Sequence, residues 1–386
     1  MTTPEPLRPS LRLLFVSDHL GHAGGTVHGA TTYFLSVLPR LREQGIALYP
    51  CFLGRPHPAE AQLRAAGVVP VFLGRMKWDP RALGDITRLI RQHQINLVHA
   101  AAMKGIILAR LAGRRTGTPV ISHFHDEKPV NAAIGFLQRH TARWSTASIA
   151  ISASVADFAV NELGADREQI HVLHNGIDPA RAQAAEPGAE ARIRQELDIP
   201  PDAPVVSVIG RLSPEKGQAE FIKTLPDLLQ RTPHTHILIV GEGDERARCQ
   251  ALTTQLGIGH AVHFTGFRSD LADILAATTI VAIPSISEGL SYTALEAMAA
   301  GRPVIAMAVG GIPEIVHDES TGLLITKGQH AAFPAAIARV LGDVELQRTL
   351  IEGGKQLANQ LSVDAHVAKL TEFYAEIAAP GGAEKP

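Results

Sequence analysis

Two cysteines in 386 residues, Cys51 and Cys249, leave no material for a disulfide framework or a thiolate metal cage. They fall in separate halves of the chain, a usage that fits a reducing cytoplasm. A large excess of either charge is missing as well. The formal net charge is -2, which gives no whole-protein attraction to nucleic acid or to anionic lipid. Long hydrophobic runs are absent: no stretch reaches the roughly twenty apolar residues that a bilayer span needs. The N-terminal MTTPEPLRPSLRLLFVSDHL places prolines and an early acid ahead of a short apolar run, so it reads as neither a signal peptide nor a membrane span. No repeat of solenoid period is visible, and the chain contains no D-x-D tripeptide.

What is present is the composition of a globular chain, with 45% hydrophobic and 19% charged residues. At 386 residues it exceeds one ordinary core, and two domains are expected. Short β-branched and leucine-rich runs alternate with amphipathic segments of helix length. The first set is LRLLFVS (11–17), LYPCFLG (48–54), VVPVFLG (68–74), INLVHAA (95–101), PVISHFH (119–125), ASIAISA (147–153) and IHVLHNG (170–176). After an Ala/Glu/Arg-rich stretch and the turn DIPPDAP the pattern restarts. PVVSVIG (204–210), HILIVGE (236–242), AVHFTG (261–266), TIVAIPS (279–285), RPVIAMA (302–308) and TGLLIT (321–326) follow. Such alternation predicts parallel βαβ units and two doubly wound α/β domains, with a hinge around 178–202. Residues 363–378 predict a terminal helix, and 379–386 a frayed, disordered tail.

Ligands of doubly wound sheets sit beyond the carboxyl ends of the strands, so the loops there carry the functional argument. The first strand runs into SDHLGHAGGTVHGATTYF, a glycine-rich loop before a helix expected to reach Glu43. Glycines let backbone amides approach an anion at a helix N-terminus, though the loop fits neither the dinucleotide nor the P-loop pattern and also reads as a plain turn. No acid closes the second strand to grip an adenosine ribose, which disfavours a dinucleotide.

In VIGRLSPEKGQAE, Ser213 and Pro214 read as N-cap and N1 of a helix. Arg211 before that cap and Lys216 in its first turn oppose the macrodipole unless an anion offsets them, and a diphosphate is such an anion. In SISEGLSYTALEAMAAGRPVIA, Thr293 and Glu296 have the spacing of a capping box, so Glu296 has a structural explanation as well as a ligand one. Glu288 sits in the loop at a strand's carboxyl end, where a ligand explains a carboxylate better than packing does. The amides of Ser291, Tyr292 and Thr293 are expected to point the same way.

Together SEGLSYTALEAMAAGRPVIA, GRLSPEKG, VGEGDE, HNGID and VGGIPEIVHDESTGLLI resemble the retaining glycosyltransferases of family 4, group 1, over nearly the whole chain. The resemblance implies the GT-B fold: two Rossmann-like domains facing each other across a cleft, with 1–180 binding the acceptor and 200–362 the donor, and residues 363–378 packing back on the first domain. It implies transfer of a sugar from a nucleoside diphosphate donor to a hydroxyl acceptor in polysaccharide, lipopolysaccharide or glycolipid synthesis, without a metal or another cofactor. By the same resemblance Glu288 meets the sugar hydroxyls, Glu296 and its neighbours Leu290 to Thr293 bind the donor, and Arg211 and Lys216 hold the diphosphate. His125 lies beside the transferred sugar. Backbone contact with phosphate falls to Gly29, with Gly24 and Gly25 as alternatives, because His28 stands where the family has a glycine. Arg268 and Asp270 occupy the nucleobase position, although Asp270 also reads as a helix cap.

Three other readings stay open at this point: a nucleotide-sugar 2-epimerase of the same architecture, a non-catalytic nucleotide-sugar binding subunit, and a metal hydrolase built on the H-x-H of His123 and His125. The cluster Arg139, His140, Arg143 and Trp144 reads either as a solvated helix face or as a peripheral contact with a membrane or lipid-linked acceptor.

Overall fold

The computed structural model describes residues 11–21, 29–75 and 79–378. The chain divides into two compact units, one of Met1–Asn175 with Val363–Pro386 and one of Gly176–Ser362.

In the first unit seven strands form one parallel sheet: β1 (Arg12–Ser17), β2 (Ala47–Phe52), β3 (Val71–Phe72), β4 (Leu97–Ala101), β5 (Val120–Phe124), β6 (Ala147–Ala150) and β7 (Ile170–Val172). Their order is β3-β2-β1-β4-β5-β6-β7. β4, β5 and β6 are buried along their full length, as strands covered on both faces must be. The runs at 68–74 and 170–176 shrink to two and three paired residues because β3 and β7 are edges. The opening helix Gly29–Glu43 ends where the sequence predicts, and the terminal helix Val363–Ala378 packs against it. Buried Val367, Leu370 and Tyr374 line the inner face of the terminal helix.

The second unit carries β8 (Val205–Ile209), β9 (His236–Val240), β10 (Val262–Gly266), β11 (Ile280–Ile283), β12 (Val304–Met307) and β13 (Leu323–Ile325), in the order β10-β9-β8-β11-β12-β13. Every pairing in both sheets is parallel. The stretch 178–202 is folded rather than extended. It forms the helices Pro179–Gln183 and Ala189–Glu196, and Ile193 packs with Val205, Leu238 and Ile274 in the core. The strand order reverses between β1 and β4 in one sheet and between β8 and β11 in the other, the crevices where ligands of such sheets bind. His28, Gly24, Gly25 and the tail 379–386 lie outside the described residues.

Candidate active site

The loops after β8 and β11 meet at the switch point of the second sheet. Ser213 has the extended backbone of a cap residue but caps nothing: its hydroxyl oxygen is buried without a partner. Pro214–Lys216 is a single 3-10 turn, and the helix begins only at Gln218. The expected helix start is therefore corrected, and the cause is Gly217. Its φ is +70°, and a Cβ there would stand 2.0 Å from the Pro284 carbonyl oxygen, so only glycine lets the two loops touch. The contact is extended by the Ile286 amide, which donates to the Glu215 carbonyl at 2.8 Å. The glycine of VGEGDE at 241 plays a similar part, since a Cβ there would stand 2.0 Å from the Gly210 carbonyl oxygen.

These backbone contacts bring Lys216 to Glu288. The Lys216 ammonium donates to Glu288 Oε1 at 2.6 Å, and the Ser285 hydroxyl donates to the same oxygen at 2.9 Å. Glu288 thus has partners within the chain, which corrects the view that packing gives it none. Oε2 takes no bond from the described residues. Arg211 is likewise ion-paired, with Glu215. Each cation has an anion at hand in the protein itself, so the dipole argument alone does not require a phosphate.

Glu296 changes in the opposite direction. The helix spans Tyr292–Ala299 and its cap is Ser291, whose side chain accepts from the Ala294 amide at 3.3 Å. Thr293 is the second helical residue and its hydroxyl reaches the Ile209 carbonyl instead. No capping box forms, and Glu296 sits in the second turn, not the first. Burial pushes its carboxyl up to about 7, against the opposing pull of the Arg181 guanidinium. Leu290 and Ser291 are buried just ahead of it.

Asp270 occupies the cap position of the helix Leu271–Ala276 but makes no capping bond. It is spent on Arg268, whose guanidinium donates to both carboxylate oxygens at 2.8 and 2.6 Å and also pairs with Glu196 at 2.5 Å. These bonds hold the Asp270 carboxyl below its usual range.

In the first unit, Gly29 is the exposed first residue of the opening helix. His125 follows β5 directly. Its ring lies 3.9 Å from that of His123, and the Tyr33 ring meets it edge-on at 5.1 Å. Burial lowers His125 to about 3, so its ring is neutral across the physiological range. His123 Nδ1 is bonded to His99 Nε2 at 3.0 Å. Among the described residues no group of three or more histidines, cysteines, aspartates and glutamates is placed to hold a metal. Arg139 pairs with Glu162 at 3.5 Å, and Trp144 packs under Arg114 at 4.3 Å and Arg143 at 5.4 Å. No helix of the described residues is long and apolar enough to cross a membrane.

Sequence reasoning did not single out Ser285, Tyr33, His99 or Tyr374. Ser285 sits three residues before Glu288, a local clue; Tyr33, His99 and Tyr374 come from separate elements and have none.

A profile described as "Glycosyl transferases group 1" matches residues 189–357, and one described as "Glycosyltransferase Family 4" matches residues 27–181. The chain is 28% identical over 352 residues to 2-deoxystreptamine glucosyltransferase of Streptomyces kanamyceticus, covering 86% of this chain and 89% of that one. It is 30% identical over 295 residues to the D-inositol 3-phosphate glycosyltransferase of Streptomyces bingchenggensis, or 73% of this chain and 62% of the other. Among solved structures, Anabaena HepE in complex with UDP superposes with a TM-score of 0.82 at 22% identity, covering 94% of this chain and 99% of that one. The lipopolysaccharide glycosyltransferase WaaG superposes at 0.69 and 17% identity, covering 96% and 100%.

Proposed function

Because the chain belongs to the group 1, family 4 glycosyltransferases and has their two Rossmann-like units, we propose that it moves a sugar from a nucleoside diphosphate donor to a hydroxyl acceptor with retention at the anomeric carbon. The second unit binds the donor and the first unit the acceptor, drawn from glycan or glycolipid synthesis. The observation that carries this reading is the junction of the β8 and β11 loops, where Lys216, Ser285 and Glu288 share one carboxylate oxygen.

Each residue then has a task. The open Oε2 of Glu288 accepts from a hydroxyl of the donor sugar. Lys216, fixed beside it, and Arg211, released from Glu215, neutralise the diphosphate as the anomeric C–O bond breaks. The amide end of the helix Tyr292–Ala299 adds its partial positive charge. Glu296 takes the ribose hydroxyls. A neutral His125 orients the sugar by hydrogen bonding and supplies no proton of its own. The acceptor attacks from the face the diphosphate leaves, and a phosphate oxygen accepts the acceptor's proton. Arg268 and Asp270, locked to one another, offer the nucleobase a rigid edge.

HepE is described with UDP bound, so UDP heads the panel that tests this reading. UDP, GDP, ADP and their sugars are compared by thermal shift, since a nucleotide that binds the folded state raises apparent stability by mass action. One of the three is expected to raise Tm well above the others, and a flat response to all of them overturns the donor assignment. Arg211→Ala is expected to weaken binding of that diphosphate about tenfold by calorimetry, the worth of one charge-assisted contact. An unchanged Kd removes Arg211 from the site.

A further inference from the structure

Behind His125 the first unit buries a line of polar rings that no step above uses. Tyr374 of the terminal helix, His99 of β4 and His123 of β5 have no exposed surface. The Tyr374 hydroxyl lies 2.5 Å from His99 Nδ1, and His99 Nε2 lies 3.0 Å from His123 Nδ1. Phe15 stacks on His99 with ring centroids 4.5 Å apart, and His123 in turn faces His125 at 3.9 Å with 34° between ring planes.

Donor accounting ties the two histidine tautomers of this line together. Among the described residues His99 is the hydrogen-bond partner of the Tyr374 hydroxyl, and no other acceptor reaches it. If Tyr374 donates to His99 Nδ1, His99 carries its proton on Nε2 and donates to His123 Nδ1, so both rings are Nε2–H tautomers; if His99 donates to Tyr374, its Nε2 accepts from His123 Nδ1 and both rings are Nδ1–H tautomers. His123 Nε2 is buried and finds no partner in the chain, so either arrangement leaves one donor unpaired, and each holds both rings in a single shared tautomer. A flip of the His123 ring would break its bond to His99. The ring that backs His125 is consequently held in one plane, with Tyr33 closing the edge at 5.1 Å.

We propose that Tyr374 is a positioning residue for sugar transfer: through His99 it fixes the tautomer and plane of His123, and that fixed ring holds His125 in the orientation that meets the sugar. The kinetic part rests on the function proposed above; the orientation of His125 does not.

Tyr374→Phe keeps the ring and removes only the hydroxyl. In the full chain labelled with nitrogen-15 histidine, long-range proton–nitrogen spectra should show His99 and His123 in one shared tautomer, both Nε2–H or both Nδ1–H, before the substitution and as mixtures after it. The His125 ring signals should shift and broaden. With the donor that the thermal-shift panel selects, kcat should fall about tenfold, the equivalent of one buried hydrogen bond, and donor KM should stay within about twofold. His99→Gln, whose amide can accept from Tyr374 and donate to His123, should preserve the His125 signals, whereas His99→Phe should lose them. This pair decides the matter even if Tyr374→Phe does not fold. Unmoved His125 signals in Tyr374→Phe, or equal behaviour of the two His99 variants, overturn the proposal and leave the transferase reading intact. Moved signals with an unchanged kcat overturn the catalytic part. A chain that transfers nothing defeats the transferase reading while the spectra still decide the relay.

Discussion

Glu288→Ala is expected to lower sugar transfer about a thousandfold while leaving the chain folded, a loss of the size seen when one oriented transition-state contact is removed. Two effects combine in it. The carboxylate oxygen that is open to ligand disappears, and Lys216 loses the partner that holds its ammonium at 2.6 Å. Stability should change little. The Lys216 side chain is 30% exposed and can turn to water, so breaking the pair costs about 1 kcal/mol rather than the several expected of a fully buried one. Lys216→Ala separates the two effects. If Glu288 served only to hold the lysine, Glu288→Ala and Lys216→Ala would lose the same rate and the double variant would lose no more. Initial rates, donor KM and Tm for the three variants are the required measurements, and a Glu288→Ala rate within tenfold of the parent removes Glu288 from the sugar site.

Glu296→Gln should separate stability from binding in a pH-dependent way. Burial raises this carboxyl to about 7 in the folded chain, above its ordinary value near 4.3 in an unfolded one. Between those two values the folded state holds a proton that the unfolded state has released, so stability falls as pH rises through the window and the penalty is complete above it. At most it amounts to about 4 kcal/mol. The amide removes the titration. The variant should therefore melt a few degrees above the parent at pH 8 and together with it at pH 4, while donor KM rises about tenfold or more through the lost ribose contact. A variant that melts lower than the parent at pH 8 would assign Glu296 a structural role in its helix. An unchanged KM would remove it from the ribose.

Strands buried on both faces read as largely apolar runs, and that requirement is local. For this reason the thirteen runs that the sequence offers as strands all appear among the described residues, and the helix that starts at Gly29 stops at Glu43. The glycines of the family motifs answer to a longer-range demand: glycine at 217 and 241 is fixed by backbone contacts with Pro284 and Gly210 that any side chain would block. Capping was legible only to within a residue or two. Ser213, Thr293 and Asp270 each satisfy a cap pattern, and none makes the bond: Thr293 turns to the distant Ile209 carbonyl, Asp270 to Arg268 two residues before it, and Ser213 is buried without a partner.

What the sequence determined by itself was the fold class, the position of the candidate site loops and the identity of the charged residues in them. The tertiary structure alone decided how those charges pair. Lys216 and Glu288 are 72 positions apart, and Tyr374 and His99 are 275 apart. No periodicity registers contacts at such separations, since they arise only when strand order places two loops at one switch point or folds the terminal helix Val363–Ala378 back onto its own unit. Desolvation follows the same rule. The acid that capping seemed to explain, Glu296, proves to be half-buried and desolvated, with a raised proton affinity, and the acid that seemed to lack any partner, Glu288, proves to have two.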